Sequence, residues 1–148
     1  MKTMVIGYGN TLRGDDGFGC YAAERLMERA NLPQTEFLIL QQLTPEIAID
    51  LSSVDLVVFI DVNVYTSAGE ITIQNVQTQE ITPASLSHHL TPQSLLALAQ
   101  ALYGTSPQGT LFSAGAESFD LSEHLSPALE AIMPEILERI ETFLKSQE

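Results

Sequence analysis

Thr3-Met4-Val5-Ile6-Gly7-Tyr8-Gly9-Asn10-Thr11-Leu12-Arg13-Gly14-Asp15-Asp16-Gly17-Phe18 is the stretch that decides the fold. Its opening, Thr3 to Tyr8, is apolar without alternation, so it reads as a strand buried on both faces. A glycine-rich turn follows, from Gly9 to Gly17. Phe18, Ala22, Leu26 and Ala30 then recur every four residues, with Ala23 and Met27 beside them, which marks an amphipathic helix. Strand, turn and helix in that order open an α/β fold.

The same alternation continues outward. Glu36 to Gln41 reads as a second strand, and the almost wholly apolar Val54 to Ile60 as a central third. Glu70 to Val76 alternates with period two, as an edge strand with one wet face does. Thr110 to Ala114 is the last strand candidate. Thr44-Pro45, Thr91-Pro92 and Ser126-Pro127 each offer an N-cap hydroxyl followed by proline at the first helical position. The helix after Thr91 carries Leu95, Leu98, Ala99 and Leu102 and meets a C-terminal stop at Gly104. The last helix shows one stripe, Leu129, Ile132, Met133, Ile136, Ile140 and Phe143, with Pro134 inside it as an expected kink or break. The sum is an open, mostly parallel twisted sheet of about five strands with helices on both faces.

The 148 residues fit one domain, 1–148, without repeat, linker or low-complexity tract. Hydrophobic residues at 45% and charged residues at 17% suit a packed core rather than a disordered chain. With 19 acidic against 6 basic side chains the net charge is −13, which argues against nucleic acid and against anionic membrane surfaces. Cys20 is the only cysteine, so no internal disulfide forms and a reducing compartment is expected. The apolar start is too short for a signal peptide, and no run reaches the roughly 18 apolar residues of a membrane span. These features point to the cytoplasm.

In open parallel sheets the ligand site lies beyond the carboxyl ends of the strands, and that rule selects the polar residues worth weighing. The first turn begins Gly7-x-Gly9 like a dinucleotide fingerprint. Position 12 is leucine, however, and Asp15 and Asp16 would repel a pyrophosphate. One of those two aspartates suits a helix N-cap, which leaves the other spare. Asp61 follows the third strand at its carboxyl tip, where a turn-initiating aspartate is the ordinary alternative. His88 and His89 precede the Thr91 cap in a loop, and His124 reads as a surface residue. Cys20 lies in the first turn of the first helix, where the helix terminus favours a thiolate. A small thiol packed against the sheet is the simpler reading. No G-x-S-x-G elbow and no zinc-finger spacing is present. Asp16, Asp61 and one histidine would together make an O,O,N set suited to a divalent transition ion and would leave coordination positions open.

Gly9-Asn10-Thr11-Leu12-Arg13-Gly14-Asp15-Asp16-Gly17-Phe18-Gly19 resembles the G-N-x-L-x-x-D-[DE]-G-x-G signature of the hydrogenase maturation proteases. The strand ending in Asp61 and the segment Ser87-His88-His89-Leu90-Thr91-Pro92 are similar to that family's other two site positions, in the same order and spacing. Gln41-Gln42-Leu43-Thr44-Pro45-Glu46 resembles the branch serving bidirectional, NAD-linked hydrogenases.

The resemblance implies a monomeric three-layer α/β/α sandwich of the phosphorylase/hydrolase-like kind. It implies an endopeptidase that trims the C-terminal tail of a NiFe-hydrogenase large-subunit precursor. Asp16, Asp61 and His89 then contact the nickel that the precursor already carries, and no tightly bound resident cofactor is expected. Whether a carboxylate or the metal activates the water is left open by that pattern. Two positions depart from it. Asp16 stands where several members have glutamate, and Gln42-Leu43-Thr44 replaces a glycine-rich turn after the second strand. Another hydrolase on the same sandwich, or a non-catalytic nickel-delivery protein, are the alternatives.

Overall fold

The computed structural model describes residues 1–78 and 90–147. Five strands, β1 (Thr3–Tyr8), β2 (Thr35–Leu40), β3 (Leu56–Ala68), β4 (Ile71–Val76) and β5 (Gln108–Gly115), form one sheet in the order β2-β1-β3-β5-β4. All pairings are parallel except that of the edge strand β4 with β5. Helices α1 (Phe18–Arg29) and α4 (Pro127–Ser146) cover one face; α2 (Ile47–Leu51) and α3 (Pro92–Tyr103) cover the other. This is the five-stranded, mostly parallel α/β sandwich expected from the alternation of elements.

Strand periodicity explains the two cores. Val5, Val58, Ile60, Phe112 and Ala114 face α1 and α4, and their neighbours Met4, Ile6, Val57 and Phe59 face α2 and α3. β1, β5 and β3 up to Ile60 are buried on both sides, which is why their sequences run apolar rather than alternating. Helix α1 packs close because its first turn carries no side chain at Gly19, where a Cβ would strike the Ile60 and Tyr8 carbonyl oxygens. Thr91 caps α3 in a reciprocal capping box with Ser94, and Gly104 ends that helix at φ 75°. Ser126 caps α4 through the Leu129 N–H.

Four details differ from the sequence reading. β3 does not stop at Ile60 but runs on to Ala68, because β5 continues to pair with it through Gly115 and Asn63 ties down the turn beyond. Helix α2 begins at Ile47, and the Thr44 side chain does not cap it. The chain enters through i→i+3 bonds from Ile47 to Thr44 and from Ala48 to Pro45. Neither Asp15 nor Asp16 caps α1; Gly17 occupies that position without a side-chain bond. Helix α4 runs unbroken through Pro134, whose exposed side leaves the unbonded Glu130 carbonyl within reach of water.

Candidate active site

The strand order reverses direction between β1 and β3, since the chain goes from β1 outward to β2 and then returns to β3 on the other side. Ligands bind such sheets at this switch point, beyond the carboxyl ends of the strands. A cleft of about 720 Å³ opens there, lined among others by Tyr8, Asp16, Asp61, Asn63, Ser113 and Phe119.

The turn after β1 brings Asp16 in. Gly9 adopts φ 139°, and a Cβ there would collide with the Asp16 carbonyl, so only glycine lets the turn fold back this tightly. Asn10 holds the turn twice. Its Oδ1 accepts from the Leu12 N–H at 2.9 Å, and its own N–H donates to Asp16 Oδ2 at 2.8 Å. The residues from Gly14 to Gly17 form a 3₁₀ turn, with Asp16 half-buried at the cleft.

Asp15 does different work. It is fully buried, and its two oxygens accept the N–H groups of Glu117 at 2.8 Å, Ser118 at 3.1 Å and Ser126 at 2.7 Å. It therefore fastens the β5–α4 connection, which delivers Phe119 to the cleft wall. The adjacent aspartates are thus divided between a backbone clamp and the site.

Asp61 sits on β3 one residue past the last pairing with β1, where Gly7 opposes Ile60. Its side chain therefore leaves the sheet beside the end of β1 rather than from a turn. Burial pushes its carboxyl up to about 7; the Val62 N–H and the Tyr8 hydroxyl oppose that shift, and the Asp16 charge adds to it. Tyr8 is itself raised far above the ordinary phenol range, by burial first and by Asp61 next.

A row of polar groups crosses the sheet at this level. Asp61 pairs with Ser113 on β5, and Ser113 with Thr72 on β4. Asn63, two residues beyond Asp61 and hence on the same face, donates from Nδ2 to Ser113 Oγ at 2.9 Å. Ser113 and Asn63 are 2% and 6% exposed, yet both line the cleft. Sequence reading passed over Tyr8, Asn63 and Ser113. Tyr8 and Asn63 are signalled only by strand periodicity, and Ser113 only by its register.

Cys20 is buried at the base of the same turn. Its Sγ lies 3.2 Å from the Leu40 carbonyl and 3.4 Å from that of Gly9. Burial, with Glu24 and Asp16 next, pushes the thiol up to about 11, so the helix terminus does not supply a thiolate nucleophile. His124 is exposed and does not line the cleft. His88 and His89 lie outside the described residues; the described chain resumes at Leu90, which lines the cleft. Asp16 and Asp61 offer carboxylate oxygens to a divalent ion, and among the described residues no third His, Cys, Asp or Glu joins them closely enough to complete a metal cluster.

Two partly buried carboxylates, Asp16 and Asp61, thus border one cleft at the switch point of an α/β sheet, an arrangement suited to acid–base chemistry. Solved structures give the class. The chain is similar to the hydrogenase maturating endopeptidase HybD from E. coli, at 26% identity and a TM-score of 0.81, covering 99% of this chain and 94% of that one. It is similar also to the [NiFe] hydrogenase maturation protease HycI from Thermococcus kodakarensis, at 27% identity and a TM-score of 0.75, over 97% and 92% of the two chains. A solution structure of an endopeptidase from Escherichia coli matches at 26% and 0.78, over 99% and 94%. No protein-family model and no curated protein sequence matches the chain. By fold and by these likenesses the chain is an endopeptidase, a hydrolase of peptide bonds. Among the described residues no helix is long and apolar enough to cross a membrane.

Proposed function

We propose that this endopeptidase removes the C-terminal peptide from the nickel-loaded large-subunit precursor of a NiFe hydrogenase, and that the precursor's own nickel is the feature it recognises. The observation that carries the reading is the convergence of Asp16 and Asp61 on one cleft, in a chain that folds like the solved hydrogenase maturation endopeptidases. The Gln41-Gln42-Leu43-Thr44-Pro45-Glu46 segment favours a precursor of the bidirectional, NAD-linked kind, and Gln41, Gln42 and Leu43 line the cleft where a tail would lie.

In this account the nickel is part of the substrate, held by precursor thiolates, and the enzyme needs no resident cofactor. Asp16, Asp61 and His89 supply hard and borderline ligands that complement those thiolates at open positions of the ion. His89 is assigned here from its motif. Docking of the ion aligns the scissile peptide over the β3–β5 row. A water then adds to the peptide carbonyl carbon and loses a proton to a carboxylate. The carbonyl oxygen carries the resulting charge until the C–N bond breaks, and the departing nitrogen takes a proton. The carboxylate that takes the water's proton can return it to that nitrogen. The enzyme works as a monomer in the cytoplasm, with the precursor as its partner.

Incubation of purified protein with nickel-loaded precursor tests the reading. Mass spectrometry is expected to show the precursor lose the mass of its C-terminal peptide. Transfer of nickel with the precursor mass unchanged would assign the chain to nickel delivery instead.

A further inference from the structure

Asn63 leaves no freedom in how its amide is turned. Its Oδ1 accepts from the Thr66 N–H at 3.0 Å, the Tyr65 N–H at 3.2 Å and the Thr66 hydroxyl at 2.7 Å. An oxygen facing two backbone donors cannot be exchanged with the NH2 group, so Nδ2 is the atom that faces Ser113. Ser113 Oγ must therefore accept from Asn63. Its own proton is left over, and no described residue accepts it.

That hydroxyl is buried yet borders the cleft. It rises from the β5 residue in register with Asp61, and neighbouring strands stand only about 4.8 Å apart. A single peptide group laid across the two strands can thus meet both side chains. On the far side of Ser113 in the same row, the buried Thr72 Oγ1 also has no partner among the described residues. A buried hydroxyl whose proton has no acceptor costs on the order of 1–3 kcal/mol, so Ser113, which borders the cleft, is suited to donate to a group bound there.

We propose that Ser113, aimed by Asn63, donates a hydrogen bond to the carbonyl oxygen of the scissile peptide and stabilises the charge that develops on it. Ser113 is then a catalytic residue and Asn63 its positioning residue. Ser113 keeps its proton throughout; the water and the carboxylate carry the proton transfers. The inference rests on the endopeptidase reading above and extends it to a carbonyl subsite.

Single-turnover cleavage of nickel-loaded precursor, with affinity for the precursor measured separately, is the test. Ser113→Ala is expected to slow cleavage on the order of 10²-fold, the usual loss for one such donor, with the precursor dissociation constant within about threefold of wild type and a cooperative melt retained. Asn63→Asp keeps the acceptor for the turn but presents an oxygen to Ser113, which draws the serine proton away from the cleft. Its loss is expected to match that of Ser113→Ala, and the double variant is expected to be no slower than either. Wild-type rate in Ser113→Ala, beside an inactive Asp61→Ala, overturns the subsite and leaves the endopeptidase reading standing. A loss seen only as weaker precursor binding also overturns it. Multiplying losses in the double variant overturn the role of Asn63. If the wild-type protein does not cleave, both the reading and the subsite fall.

Discussion

Asp16 and Asp61 border one cleft at the end of β1, and the charge on Asp16 adds to the burial that raises the Asp61 carboxyl to about 7. One carboxylate comes from a turn pinned by Asn10 and Gly9, the other from a strand that outlasts its neighbour. Neither position is adjustable without moving the sheet, which is how a site achieves preorganisation.

This arrangement makes Asp61 a stability liability, with a sign that can be checked. Its carboxyl is pushed from 3.8 to about 7 on folding. Between those values the folded state holds a proton that the unfolded state has lost, so stability falls as pH rises from about 4 to about 7 and levels off above. Asp61→Asn keeps the acceptor for Tyr8 and Val62 but cannot ionise. It is expected to leave stability near pH 4 almost unchanged and to add on the order of a few kcal/mol at pH 8, while abolishing cleavage. Thermal melts of both proteins from pH 4 to 8 check this; equal slopes would remove the buried carboxylate from the account.

The two adjacent aspartates are expected to separate cleanly. Asp15→Ala deprives three backbone N–H groups of a charged acceptor and is expected to cost about 3–5 kcal/mol, lowering the melting temperature on the order of 10 °C. Asp16→Ala removes one bond to the Asn10 N–H and is expected to cost about 1 kcal/mol. Calorimetry ranks them; the reverse ranking would reassign the clamp.

Cys20→Ala removes a small buried group and is expected to cost about 1–2 kcal/mol with cleavage retained. The wild-type thiol, held up to about 11, is expected to react slowly with iodoacetamide at pH 7.5. Loss of cleavage at unchanged melting temperature would restore a cysteine mechanism.

The three site positions are expected to fail together. Asp16→Ala, Asp61→Ala and His89→Ala should each lower cleavage of nickel-loaded precursor by orders of magnitude, with folded melts. Asp16→Glu and His88→Ala should retain activity. Activity lost in His88→Ala and kept in His89→Ala would shift the histidine assignment by one residue.

The fold was legible because parallel strands buried on both faces leave unbroken apolar runs, as at Val57 to Ile60, and because Thr91 and Ser126 cap their helices through local bonds. Asp16 and Asp61 were legible as carboxylates at strand ends. The division of labour between Asp15 and Asp16 was not, since it depends on N–H groups about a hundred residues away. Nor was the Asn63–Ser113 pair, fifty residues apart and joined only by β3–β5 register. The extension of β3 past Ile60 was hidden for the same reason: its partner, not its own composition, sustains it.

In the proposed reaction, nickel already in the substrate licenses cleavage through Asp16 and Asp61. Rates for one precursor preparation, with and without its nickel, measure this most directly. The wild-type enzyme is predicted to release the C-terminal peptide from the loaded form and to leave the nickel-free form intact. Equal release from both forms would contradict the claim.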